Sequence, residues 1–129
     1  MSEPRWPTRD LVVALHDEQL ALFGGGDGVR DEGLLESALA RPLNRFHYEP
    51  DAPLFDLAAA YCAGIVCNHP FIDCNKRTGL LAAVVFLHRN GYRLNPDQRN
   101  EVAVILALAS GQMEDAELAA WLKANSTPR

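Results

Sequence analysis

Two strongly apolar stretches, Leu57 to Cys67 and Leu80 to Leu87, stand on either side of a short polar segment, His69 to Gly79. This arrangement limits what the chain can fold into more than any other feature. The first stretch, inside a helix expected from Leu54 to Asn68, is apolar nearly all round, and such a helix has to be enclosed by others. The second sits in a helix expected from Lys76 to Asn90, with Gly91 directly after as a left-handed stop. A polar loop is therefore walled by the core on both sides, where its polar groups need partners.

The remaining segments read as helices packed around that central pair. Leu11, Leu15, Leu20, Leu22 and Phe23 recur at helical spacing, which predicts a helix from Thr8, its N-cap, to Phe23, stopped by the glycines of residues 24 to 28. A second, short helix is expected from Asp31 to Ala40, ending before Pro42. Residues 42 to 53 carry Pro42, Pro50 and Pro53 around Phe46, His47 and Tyr48. They read as a connector whose aromatics either form an exposed flap or plug the core edge. Pro96 to Ser110 and Asp115 to Lys123 complete the set, with Gly111 breaking the two apart. No alternating strand of useful length is visible. The fold class expected is all-α, as one domain over residues 1–129, since a chain of this length hides roughly two thirds of its unfolded surface without a disulfide or metal staple.

Charge and cysteine content narrow the function classes. Seventeen acidic against twelve basic residues give a net charge of −5, which disfavours broad binding to nucleic acid. The N-terminus has no apolar signal region and the longest apolar run is too short to span a bilayer, so the expectation is a cytoplasmic protein without membrane contact. Cys62, Cys67 and Cys74 are odd in number and lie near apolar sequence, which suits free thiols.

The chemistry is concentrated in His69-Pro70-Phe71-Ile72-Asp73-Cys74-Asn75-Lys76-Arg77. From Asn75 onward the chain enters a helix, so unpaired backbone N–H groups and the positive end of the dipole gather beside Lys76 and Arg77, a natural seat for phosphate. Between residues 76 and 99, Lys76, Arg77, Arg89, Arg93 and Arg99 face a single acid, Asp97; for the last three arginines a solvated helix face is an equal alternative. Asp73 suits a Mg²⁺ ion that completes its shell with phosphate and water, and His69 suits proton abstraction from a hydroxyl. Base, acid and anion cradle together point to phosphoryl or nucleotidyl transfer. Taken one by one, the same residues also have plain structural readings as turn, cap and loop side chains. A zinc site of Cys67, His69 and Cys74 is a minor alternative that lacks a fourth ligand.

That nine-residue run resembles the His-x-Phe-x-Asp-x-Asn-Lys-Arg signature of the death-on-curing (Doc) toxins of the Fic superfamily. The resemblance extends through Ala14-Leu15-His16-Asp17, Gly33 to Pro42 and Phe86 to Tyr92, covering about residues 10 to 123. It implies a compact six-helix fold and a toxin of a bacterial toxin–antitoxin pair. It also implies His69 as general base, Asp73 as the Mg²⁺ ligand, Asn75, Lys76 and Arg77 along the phosphates of ATP, and Phe71 as the loop's core anchor. Catalysis would then rest on His69, Asp73 and Arg77.

Nucleotidylating members of the superfamily resemble His-Pro-Phe-x-Asp/Glu-Gly-Asn-Gly-Arg-x-x-Arg, whereas this chain has Lys76 and Leu80 at the second glycine and the last arginine. A side chain at 76 obstructs the close approach that glycine permits, and Leu80 cannot bind phosphate. In the Doc branch these changes accompany a reversed ATP, so the resemblance implies transfer of the γ-phosphate to a protein hydroxyl, a threonine of elongation factor Tu, with arrest of translation. Pro70 and Cys74 depart from the Doc pattern, and AMP transfer or a catalytically impaired antitoxin-binding module are the alternatives. Ser110 to Asp115 only approximates the inhibitory helix of some Fic proteins, because Gly111 interrupts it. Control is therefore expected from a separate antitoxin whose disordered segment folds on binding.

Overall fold

The computed structural model describes residues 3–129. Six helices follow in order: α1 (Arg9–Phe23), α2 (Glu32–Tyr48), α3 (Leu54–Asn68), α4 (Asn75–Arg89), α5 (Gln98–Ala109) and α6 (Asp115–Ala124). The centre is α3, in which every residue from Leu57 to Val66 is buried. It crosses α4 closely at Gly79, where an added Cβ would stand 2.7 Å from Val66 Cγ2 and 3.0 Å from the Cys62 carbonyl. Helices α2 and α6 pack on α3's other sides, α1 packs on α4, and α5 contacts both central helices. The all-α class and the enclosed central pair follow the sequence expectation.

Local chemistry sets the helix ends. Thr8 accepts the Leu11 N–H and Asp31 the Leu34 N–H, so both expected N-caps are formed. Gly91 and Gly111 have φ of +98° and +81° after the ends of α4 and α5. Glu114 and Glu117 then make a reciprocal capping box that starts α6. The near match to an inhibitory helix is thus a stop followed by a restart.

Two expectations need correction. Helix α2 does not end before Pro42 but runs through it to Tyr48, so residues 42 to 48 are not a connector. Proline in a helix interior removes the N–H that would serve the carbonyl four residues back and costs about 3 kcal/mol. That carbonyl, on Ala38, lies against Gly64 of α3, 3.1 Å from where a Cβ would be, and Leu35, Ala38 and Pro42 are all buried on the same face. Tertiary burial therefore outweighs the local penalty. The aromatics divide accordingly: Phe46 packs edge-on against Trp6 at 5.7 Å, whereas Tyr48 is 88% exposed.

The inward residues of α1 are Val12, His16 and Gln19, while Leu22 and Phe23 are exposed. The second correction is a small ladder that the sequence did not announce. Strands β1 (Tyr92–Leu94) and β2 (Ser126–Pro128) pair antiparallel, with Arg93 opposite Thr127. Three-residue strands are too short for alternation to show.

Candidate active site

The loop between α3 and α4 is held in place from several directions. Helix α3 ends at His69, which takes a left-handed conformation with φ of +51°, and Cys74, at +63°, does the same before α4 begins. Non-glycine residues adopt this conformation at a penalty of about 1 kcal/mol or more, so the surroundings must enforce it. Between them, Phe71 is buried, and Asn75 closes the turn on it: its Oδ1 accepts the Phe71 N–H at 2.9 Å and its Nδ2 donates to the Phe71 carbonyl at 3.0 Å.

The segment joining α1 to α2 clamps the loop from outside. The Arg30 and Asp31 N–H groups donate to the Pro70 carbonyl at 2.7 and 3.1 Å, and the Ile72 N–H donates to Gly28 at 3.1 Å. The Arg30 guanidinium donates to the carbonyls of Asn68 and His69, covering the open end of α3. Arg30 carries no local sequence signal for this role, because its partners lie nearly forty residues along the chain.

The expected site residues gather on one cleft of about 790 Å³, which His69, Asp73, Asn75, Lys76 and Arg77 all line. No side chain caps α4, and the N–H groups of Asn75, Lys76 and Arg77 have no backbone partner among the described residues. The first turn of α4 therefore offers open N–H donors, with the cationic Lys76 and Arg77 beside them. The Asn75 side chain, buried and engaged with Phe71, faces into the loop; its backbone N–H is what the cleft can use. His69 is exposed, with the Asn75 amide 3.4 Å from its Nδ1. Arg89, Arg93 and Arg99 do not line the cleft and are solvent-exposed.

Asp73 is an exposed carboxylate with fixed aim. Its Oδ1 accepts the Cys74 N–H at 2.8 Å, and its Oδ2 faces the Gly26 N–H at 3.4 Å. The Cys74 hydrogen bond first, then the Gly26 one, with the Arg77 charge adding to them, hold the carboxyl below its ordinary value of 3.8. An ionised carboxylate with lone pairs to spare, beside open phosphate donors, suits Mg²⁺, which takes one or two carboxylates and fills its shell with phosphate and water. Among the described residues no three His, Cys, Asp or Glu side chains converge to hold a metal, so Cys67, His69 and Cys74 do not form the alternative zinc set. Cys62 is fully buried, which pushes its thiol up to about 12, while Cys67 is exposed.

Four further contributors to this site were not marked as such by the sequence. Gly25 and Gly26 lie so close to the loop that a Cβ would come 2.8 Å from Asp73 Oδ2 or 2.7 Å from Ile72 Cγ2. The Arg77 guanidinium stacks over the exposed Phe23 ring at 4.4 Å. His16, buried on α1, reaches the Asp73 carbonyl.

A family model described as the Fic/DOC family matches residues 6–87. The chain belongs to the Fic/DOC family. It is 33% identical over 112 residues to "Protein kinase doc" of Escherichia phage P1, covering 87% of this chain and 88% of that relative. It is 46% identical over 76 residues to "Toxin Doc" of Mycolicibacterium smegmatis, 58% of each chain. The Fic/DOC match takes in α1 to α3 and α4 up to Leu87, the elements that carry and clamp the loop, while α5, which lines the cleft with Val102, Ile105 and Leu106, lies beyond it.

Proposed function

We propose that this chain is a Doc-type toxin that transfers the γ-phosphate of ATP, with Mg²⁺, to a protein hydroxyl. The observation that carries this reading is the uncapped N-terminus of α4, with Lys76 and Arg77, opening into the same cleft as His69 and Asp73. His69, exposed on the cleft, would take the proton of the attacking hydroxyl. Asp73 would hold the Mg²⁺, whose chemistry is to neutralise charge on the phosphate oxygens. The first-turn N–H groups, Lys76 and Arg77 would grip the phosphates, and Asn75 would keep the turn rigid while lending its backbone N–H.

Two positions support phosphate transfer over AMP transfer. Lys76 puts a side chain where nucleotidylating relatives resemble glycine, and Leu80 lines the cleft with hydrocarbon where they carry arginine. The Escherichia phage P1 relative bears the name of a protein kinase, which agrees with that reading. The proposed substrate is a threonine of elongation factor Tu, by likeness to the Doc branch, and the consequence would be arrest of translation.

The proposed partner is an antitoxin with a disordered segment that folds on the toxin. Beyond the polar end, the cleft continues between α4 and α5 along Leu81, Val84, Val102 and Leu106, the last two more than half exposed. An apolar groove of this kind fits one face of an amphipathic helix.

The deciding experiment supplies purified protein and Mg²⁺ with ATP labelled at either the γ- or the α-phosphate, in a bacterial lysate and with elongation factor Tu. Label from the γ position alone, lost in His69→Ala, is the expected result. Transfer from the α position would make the chain an AMP-transferase with the same base and cleft. No transfer from either would leave an antitoxin-binding module.

A further inference from the structure

Of the four histidines, only His16 is buried, at 1% exposure, and no step described above uses it. Its ring lies nearly parallel on Phe71, with centroids 3.9 Å apart and planes 10° from each other. Its Nε2 is 2.8 Å from the Asp73 carbonyl oxygen. A carbonyl only accepts, so Nε2 bears the hydrogen; Nδ1 has Asp17 Oδ1 at 3.8 Å, beyond hydrogen-bond distance.

The carbonyl that His16 engages is the one that matters for α4. A helix extended backward by one residue through Cys74 would have the Asp73 carbonyl accept the Arg77 N–H. That would remove one of the open donors and turn the Asp73 side chain away from Cys74's N–H. Instead Cys74 is held at a φ of +63°, α4 starts at Asn75, and the carbonyl points to α1. Such a conformation in a non-glycine residue needs an external restraint. His16, fixed by its stack on a buried phenylalanine, supplies one.

We propose that His16 is a positioning residue: through its Nε2–H it latches the Asp73 carbonyl, keeps Cys74 left-handed, and so leaves the first turn of α4 open with the Asp73 carboxylate on the cleft. The effect on transfer rests on the kinase reading above, whereas the latch does not depend on it.

The test compares wild type, His16→Phe and His16→Gln. Phenylalanine keeps the stacked ring and removes the donor, while the glutamine amide can reach the same carbonyl. Imidazole nitrogen NMR of the wild type should show a hydrogen on His16 Nε2. In His16→Phe, the Cys74 amide should exchange with solvent about tenfold faster, and kcat for γ-phosphate transfer should fall about tenfold or more with KM for the protein substrate unchanged, the size expected when a residue supporting a metal ligand is lost. His16→Gln should recover most of both.

An Nδ1–H tautomer in the wild type would overturn the proposal. So would wild-type exchange and kcat in His16→Phe, faster exchange there with kcat unchanged, or a His16→Gln variant no better than His16→Phe. If wild type transfers no γ-phosphate, the kinase reading fails, and tautomer and exchange decide the latch alone. If His16→Phe does not fold, the wild-type tautomer and the His16→Gln exchange decide it.

Discussion

At Asp73, two backbone N–H groups set both the direction and the ionisation of one carboxylate. Because its folded pKa lies below 3.8, the contribution of these bonds to stability is complete above that value and is lost as pH falls through the lower, folded value. Thermal melts of wild type and Asp73→Asn should therefore differ by a constant amount from neutral pH down to mildly acid pH and converge only below the ordinary carboxylate range. Gly25 constrains the same group, with φ of +129° and no room for a Cβ beside Asp73 Oδ2. Gly25→Ala should lower stability by about 1–3 kcal/mol through backbone strain and displace the carboxylate. Denaturant titration checks the first effect, and a drop in transfer larger than the fraction unfolded checks the second. The glycines themselves were plain in the sequence as a helix stop. Their approach to Asp73 was not, because it joins residues nearly fifty positions apart.

Among the elements, α3 and α4 are the pair whose contact the rest of the fold serves. Gly79→Ala improves intrinsic helix propensity by about 1 kcal/mol yet drives a methyl to 2.7 Å from Val66 Cγ2 and 3.0 Å from a backbone oxygen. Overpacking of this kind costs about 1–3 kcal/mol, so a net loss is expected, visible as a lower denaturation midpoint with unchanged slope. The boundaries of α1 and the C-terminal boundary of α4 were legible because a threonine cap and glycines are local signals. That of α2 was not: the sequence marks Pro42 as a breaker, and only the buried face it shares with Leu35 and Ala38 against α3 keeps the helix going. Leu22 and Phe23 are apolar yet exposed, because α1 ends over the cleft, and Phe23 receives Arg77 there.

For the molecule as a whole, the site sits on the rim of a core that does not need it. His69 and Asp73 are both exposed, so His69→Ala and Asp73→Ala should retain the full far-ultraviolet helical signal and a cooperative melt while abolishing transfer. Loss of helix in either variant would mean that the loop holds the fold together. The sequence by itself determined the all-helical class, the enclosed central pair and the chemical character of the loop, since apolar runs, caps and a dense cluster of ionisable residues act over a few positions. It also carried the family, through one ordered run of side chains. Only the tertiary structure decided what holds that run in its working shape: His16 from α1, Arg30 from the α1–α2 segment, and the glycines facing Asp73. These are contacts between residues far apart in sequence, set by how helices pack, and no local pattern encodes them.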